Sequence, residues 1–243
     1  MNLSEELDIE IVGLGLRIGR TLVISDLQLG YEEALTKQGV MLPRFQAKDI
    51  MKRLEEMLRT AKPETVVING DLKHEFGTIS DQEWRDALQV FDLLLKYAEK
   101  VVVVKGNHDV VLGPLARKRG IAVVESYETG KVLIVHGHKE IRIPENIKMV
   151  VIGHEHPAIT VREERRAERF KCFLKGKYNG KGLIVMPSMN LLTEGMDITQ
   201  SRSFSPFLKK ERGSFEVFII ADKVYAFGKL ANLNKNIYIV PSN

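Results

Sequence analysis

A chain of 243 residues has room for one large domain or two small ones. At 44% hydrophobic and 28% charged residues it lies in the range of ordinary globular proteins, which excludes wholesale disorder and fibrous architecture. The net charge of +4, from 36 Lys+Arg against 32 Asp+Glu, leans basic without being extreme, and a single cysteine excludes an internal disulfide framework or a multi-cysteine metal site.

The opening MNLSEELDIE is acidic and lacks the basic patch and apolar run of an export signal. The longest apolar stretches, such as VVVV at 101–104 and VFII at 217–220, fall far short of the ~18 residues that span a bilayer. A cytoplasmic protein with no membrane association is the expectation. GLGLRIG at 13–19 has G-x-G-x-x-x-G spacing, but a strand follows rather than a helix and no Gly-Lys-Ser/Thr appears. It reads as a hairpin between two early strands, not as a nucleotide loop.

The runs TLVIS at 21–25, TVVIN at 65–69, VVVVK at 101–105, KVLIV at 131–135 and MVVI at 149–152 read as buried strands. Consecutive apolar residues without polar alternation are what a strand covered on both faces requires. Ile50, Leu54, Met57 and Leu58 share one face of a 3.6-residue period and predict a helix over 43–60. Ser80 and Glu83 form a capping-box pattern at the start of a second helix over 80–99, with Trp84, Leu88, Phe91, Leu95 and Ala98 as its apolar stripe and Trp84 in the core. From about residue 158 the texture changes to AITVR, FKCFL, GLIVM, SFEVFII and KVYAFG, which predict a second, mostly antiparallel sheet with Cys172 as a small buried hydrophobe. This order of elements points to an α/β fold, and the lack of a Pro/Gly/Ser linker favours a single domain over 1–243 whose second sheet packs on its first.

All six histidines lie between 74 and 156, each shortly after a predicted strand. In order, the loops are SDLQLG (25–30), GDLKH (70–74), GNHD (106–109), HGH (136–138) and GHEH (153–156). In α/β folds the carboxyl ends of strands gather functional groups, so these loops would bring Asp26, Gln28, Asp71, Asn107 and the histidines to one rim. Imidazole nitrogen mixed with carboxylate oxygen suits divalent cations of the Mn, Fe, Zn or Co kind. The bland alternative, scattered structural histidines, requires each polar group to be satisfied separately at a buried strand end. A pair of divalent cations lowers the pKa of water and clamps the attacking and leaving oxygens of an in-line displacement, so phosphoester hydrolysis is the matching reaction class.

The ordered loops resemble those of the calcineurin-like metallophosphoesterase superfamily, whose pattern runs D-x-H, G-D-x-x-D or -H, G-N-H-D/E, H and G-H-x-H, over about residues 20–160. His156-Pro157, the basic stretch after it and LIVMPSMNLLTEG at 183–195 look like the branch that holds SbcD-related phosphoesterases and ligase-associated DNA-damage endonucleases. The resemblance implies a sandwich of two packed mixed β-sheets flanked by helices. It also implies two divalent metal ions, Mn first, with Mg, Fe, Zn, Ni or Co as alternatives. By the same resemblance Asp26, Asp71 and His156 hold the first ion, Asp71 bridges, and Asn107, His136 and His154 complete the second. His108 matches the histidine that contacts phosphate and assists the leaving group as an acid, a role imidazole suits near neutral pH. Asp109 either orients that ring or caps a turn.

One position departs from the pattern: Gln28 stands where the family has histidine. An amide oxygen can coordinate a hard cation but is a weaker donor than imidazole for transition metals, so the first site is expected to bind loosely, to favour Mn²⁺ or Mg²⁺, or to stay empty. His74 and His138 are read either as substrate contacts or as hydrogen-bonding partners behind the ligands. Glu155, between the two GHEH histidines, reads as structural or solvated.

Residues 162–181 carry eight Arg/Lys and three Glu, a cluster that either tracks a nucleic-acid backbone or is ordinary solvated surface. Three functions follow: a two-metal phosphodiesterase or nuclease on DNA or RNA, which leads; a small-molecule nucleotide phosphoesterase; and a catalytically weak metal-binding scaffold. Homodimerisation and an ATPase partner are implied by the resemblance alone.

Overall fold

The computed structural model describes residues 1–40, 46–75, 77, 79–109, 112–163, 166–200, 203–209 and 212–233. The first sheet contains β1 (Asn2–Ser4), β2 (Ile9–Val12), β3 (Gly15–Ile18), β4 (Thr21–Ile24), β5 (Thr65–Asn69), β6 (Lys100–Val104) and β7 (Ala122–Val124), in that spatial order. Its first four strands are antiparallel neighbours, and β4 through β7 run parallel. GLGLRIG forms the β2–β3 hairpin and the start of the turn into β4, as expected.

The second sheet is built from β8 (Tyr127–Thr129), β9 (Val132–Ile134), β10 (Met149–Ile152), β11 (Pro157–Glu163), β12 (Arg166–Tyr178), β13 (Lys181–Val185), β14 (Met196–Asp197), β15 (Glu216–Ile220) and β16 (Val224–Lys229). It therefore begins at Tyr127 rather than near 158, and it is mixed: β9, β10 and β13 are parallel, whereas β11–β12 and β12–β15 are antiparallel. The reason is physical. KVLIV and MVVI are sandwiched between two layers just as the strands of the first sheet are, and an unbroken apolar run records burial on both faces, not membership of a sheet.

The helices are α1 (Tyr31–Lys37), α2 (Gln46–Ala61), α3 (Asp81–Tyr97), α4 (Gly113–Arg117) and α5 (Leu230–Leu233). The predicted start of the first long helix at 43–45 lies outside the described residues. Alternating strand residues split between two interiors: Val66 and Ile68 join Ile50, Leu54, Phe91 and Leu94 beneath α2 and α3, while Val67 packs with Ile134, Val151, Phe173 and Ile184 between the sheets. A third apolar layer, including Val150, Leu183, Phe207, Phe215 and Leu230, covers the outer face of the second sheet. The architecture is thus two packed mixed sheets flanked by helices.

The capping box at Ser80 forms: its hydroxyl accepts from Glu83 N and Glu83 reaches back to Ser80 N. The buried face of α3 is rotated from the predicted stripe, because Ala87, Val90, Phe91 and Leu94 go inside while Leu95 stays 36% exposed. Trp84 lies at the edge of this core, with the Lys118 ammonium 4.8 Å from its ring centre.

Candidate metal centre

The loops after β4 and β5 zip together through backbone hydrogen bonds, Asp26 N to Gly70 O at 3.1 Å and Gln28 N to Asp71 O at 2.9 Å. The stretch after β13 joins them, Met189 N to Ser25 O at 2.9 Å and Asn190 N to Asp26 O at 3.2 Å. Gly153 N to His136 O at 2.9 Å ties the two histidine loops of the second sheet to each other. The five sequence loops therefore meet at one end of the sandwich, where the carboxyl ends of both parallel strand sets point.

Among the described residues, eight non-glycine residues have positive φ, and five of them are Asp26, Gln28, Asp71, His154 and His156. The left-handed region costs a non-glycine residue roughly 1–2 kcal/mol. Glycine would occupy these turns without that cost, so the strain marks positions kept for their side chains. The neighbouring glycines answer a different demand. A Cβ on Gly106 would overlap the Asp71 carboxylate, and one on Gly153 would overlap Ser25 and Asp26.

Asp26 is fully buried. Its Oδ2 accepts from Ser25 Oγ at 2.5 Å and from His154 N at 3.1 Å. Its Oδ1 lies 3.0 Å from His156 Nε2, close enough for an ion pair, although neither buried atom makes a well-aligned hydrogen bond. Asp71 Oδ1 accepts from His108 N at 3.0 Å, and its Oδ2 stands 3.4 Å from His136 Nε2. His136 Nδ1 donates to Asn69 O at 3.0 Å, which turns Nε2 toward Asn107 Oδ1 at 3.1 Å. Ligand atoms of Asp71, His136 and His154 all fall within 4.8 Å of one another.

The electrostatics match a centre that needs positive charge. Burial alone would raise the Asp26 carboxyl, but His156, His136 and Ser25 hold it down to about 2. Burial likewise disfavours a charged His136, but Asp71 and Asp26 outweigh it and lift the imidazole to about 9. Burial, then the charge of His136, pushes His154 down to about 4 and leaves a neutral ring with a lone pair to give. The proton on His136 stands where a cation would serve both carboxylates. The donor set of carboxylate, imidazole and amide groups fits a divalent metal ion, and Asp71, His136 and His154 are the residues whose ligand atoms come closest together.

Gln28 is drawn into the same cleft, 8% exposed. Its amide has a fixed polarity. Leu192 N, which can only donate, binds Asn190 Oδ1 at 2.9 Å, so Asn190 Nδ2 must face Gln28 Oε1, at 3.1 Å. Gln46 Nε2 completes the chain on Asn190 Oδ1 at 2.8 Å. One lone pair of Gln28 Oε1 is thereby used before any cation arrives. Gln28→His is expected to tighten the first site about tenfold, ~1.4 kcal/mol, in calorimetric titration of Mn²⁺ into chelator-stripped protein. Unchanged affinity and stoichiometry would remove Gln28 from the ligand set.

Asp109 spends both carboxylate oxygens on backbone, the turn-fastening alternative of the two readings. Its Oδ1 accepts from Leu72 N at 3.1 Å and its Oδ2 from Gly106 N at 3.0 Å, so it fastens two ligand loops to each other. Burial, then the nearby Asp71 charge, raises it to about 6. The His108 ring is held by its Nδ1 on the His74 carbonyl. His74 stacks 5.8 Å from His108, and burial lowers its affinity for a proton. His138 lies 5.3 Å from His136, ring centre to ring centre, and burial followed by that neighbour pushes it to about 4. Glu155 is structural: its carboxylate accepts from Ser203 Oγ and Ser205 N.

Sequence reasoning missed Asn190, Ser188 and the second task of Glu83, whose buried carboxylate accepts from His74 N at 3.1 Å and Glu75 N at 3.0 Å. The usable signal was a polar pair in an otherwise apolar MPSMNLL stretch. The basic stretch 162–181 does not act as one surface. Lys171 spends its ammonium on Ser188 O and Asn190 O, Lys181 on Glu145 O and Ile147 O, and Arg165 lies outside the described residues. Arg169 does reach the cleft, a space of about 700 Å³ that Gln28, Asp71, Asn107, His108, His154 and His156 also line. Among the described residues no helix is long and apolar enough to cross a membrane.

The Pseudomonas putida nuclease MPE has a similar structure, with a TM-score of 0.63, 19% identity, and 92% of this chain and 96% of that one covered. The phosphoesterase Yfce from E. coli, at 0.40 and 15% identity, covers 83% and 88%, and the protein AQ665 from Aquifex aeolicus, at 0.38 and 21%, covers 56% and 78%. No curated protein sequence matches the chain. Residues 19–158 match the calcineurin-like phosphoesterases. That span is more than half of the chain and contains every candidate ligand from Asp26 to His156, and the chain belongs to the calcineurin-like phosphoesterase family.

Proposed function

We propose that the chain hydrolyses phosphodiesters with two divalent cations, Mn²⁺ first, and that its substrate carries a nucleotidyl unit. The observation that carries this reading is the meeting of Asp26, Asp71, Asn107, His136, His154 and His156 in one place, with Asp26 Oδ1 and His156 Nε2 buried 3.0 Å apart without a well-aligned hydrogen bond. Bound there, divalent cations supply Lewis-acid polarisation of the phosphoryl group and a lowered pKa for water.

The chain's own residues do the rest. Asp71, through Oδ1, fixes the backbone of His108, and the His74 carbonyl takes the Nδ1 proton of the ring. Nε2 is then the atom that gains and gives a proton, and it delivers one to the leaving oxygen. Ser25, Asn69 and Asp109 hold the ligand loops in register, so the geometry exists before substrate arrives.

Lys171 and Lys181 are occupied by backbone carbonyls, which favours a short nucleotidyl ester or a strand end over the body of a duplex. Hydrolysis of bis(4-nitrophenyl) phosphate is expected to appear with Mn²⁺ and to vanish on chelation. No turnover of any phosphoester by protein shown to hold metal would leave the scaffold reading. With turnover present, a rate on oligonucleotides that falls steeply with salt would favour backbone tracking, and a salt-insensitive rate on small esters the nucleotidyl reading.

A further inference from the structure

Phe204 is 70% exposed, and Leu192 39%. Of the six large hydrophobic side chains exposed among the described residues, these two line the metal cleft, and Phe204 is the most exposed of all. Single exposed apolar residues are ordinary on a surface. Phe204 is not ordinarily placed. The serines on both sides of it are fastened to the ligand loops: Ser203 Oγ and Ser205 N donate to Glu155, which separates His154 from His156, and Ser205 Oγ donates to Gly137 O at 2.7 Å, between His136 and His138. The backbone at Phe204 is thus anchored to the metal centre while its ring is left to solvent.

Arg169 lines the same cleft, its guanidinium held by Thr160 Oγ1 at 3.3 Å and Gly195 O at 3.4 Å, with the exposed Glu194 carboxylate 3.9 Å away as a weak surface partner that a phosphate oxygen would displace. A site that handled only an inorganic phosphate or a small alkyl ester would gain nothing from an exposed aromatic ring at its mouth. An aromatic ring beside an arginine is the pairing that takes a base and its phosphate.

We propose that Phe204 and Arg169 form a nucleotidyl subsite beside the metal centre, with the base of the substrate stacked on Phe204 and a phosphate oxygen paired with Arg169. The proposal rests on the phosphodiesterase reading above and adds to it the groups that would hold the base and a non-bridging oxygen of the phosphate.

The test compares thymidine 5′-(4-nitrophenyl phosphate) with methyl 4-nitrophenyl phosphate, which share a leaving group and differ in whether the other arm is a nucleoside or a methyl group. Phe204→Ala is expected to lower the ratio of kcat/KM for the thymidine ester over the methyl ester about tenfold, the loss that ~1.4 kcal/mol of stacking gives. Arg169→Ala should lower both esters and leave that ratio near its original value. In Phe204→Trp, where Trp84 is the only other indole, thymidine 5′-phosphate should quench the new fluorescence in a saturable way. An unchanged ester ratio in Phe204→Ala, or no quenching in Phe204→Trp, overturns the subsite. Absence of turnover on both esters in the Mn²⁺-loaded parent protein overturns the phosphodiesterase reading instead, so the two failures are distinguishable.

Discussion

Replacing His108 by alanine is expected to lower kcat for an unactivated phosphodiester by about 10²–10⁴-fold, the span a positioned general acid supplies. The metal content should stay at the parent level. The link from His108 to the ligand set is its backbone N–H on Asp71 Oδ1 at 3.0 Å, which alanine retains. The side chain instead offers Nε2, 3.7 Å from Asp71 Oδ2, with Nδ1 committed to the His74 carbonyl. Alanine therefore removes proton delivery and leaves the cation site standing. The leaving group separates this role from a structural one. A 4-nitrophenolate departs without a proton, so the defect should be far smaller on a nitrophenyl ester than on a dinucleotide. Metal analysis alongside rates on both substrates reads this directly, and equal losses on the two would remove His108 from acid catalysis.

How much of this was legible before the fold was seen depends on which physical signal each residue leaves. TLVIS, TVVIN and VVVVK announce strands because burial on two faces demands an unbroken apolar run, and the ligand loops announce themselves because they follow those runs with residues that chemistry needs. The boundary between sheets left no such mark, since β9 and β10 are buried on both faces like β4 and β5. Asp109 shows the same limit at the scale of a side chain. GNHD states that an acid follows the histidine, but not that its two oxygens fasten Leu72 and Gly106. Asn190 lies 162 positions from Gln28 and Glu83 serves two elements at once, so their partners are set by tertiary contact alone. Phe204 left a sequence signal indistinguishable from a core phenylalanine, and only its exposure separates the two.

Asp71→Asn is expected to weaken both cation sites together, by about 100-fold or more, ~2.7 kcal/mol. Asparagine fills the same volume, so the sandwich should form. His108 N requires an acceptor where Asp71 Oδ1 now sits, which directs the new amide nitrogen to the place of Oδ2, 3.4 Å from His136 Nε2. A pair of N–H donors would then face the point where Asn107 and His136 converge, with one negative charge gone. Calorimetric titration with Mn²⁺ checks the expectation, and retention of parent stoichiometry and affinity would show that Asp71 is not shared between the ions. Metal-free protein provides a second reading. His136 rises from 6.5 to about 9 through its buried carboxylate neighbours, so its contribution to stability is complete below the lower value and is lost as pH rises through the upper one. Asp71→Asn removes one of those neighbours, and the fall in urea midpoint between pH 6.5 and 9 should become shallower than in the parent. A parent protein whose midpoint does not fall across that window would show that His136 carries no charge between the carboxylates, and the case for a cation in its place would lose its electrostatic basis.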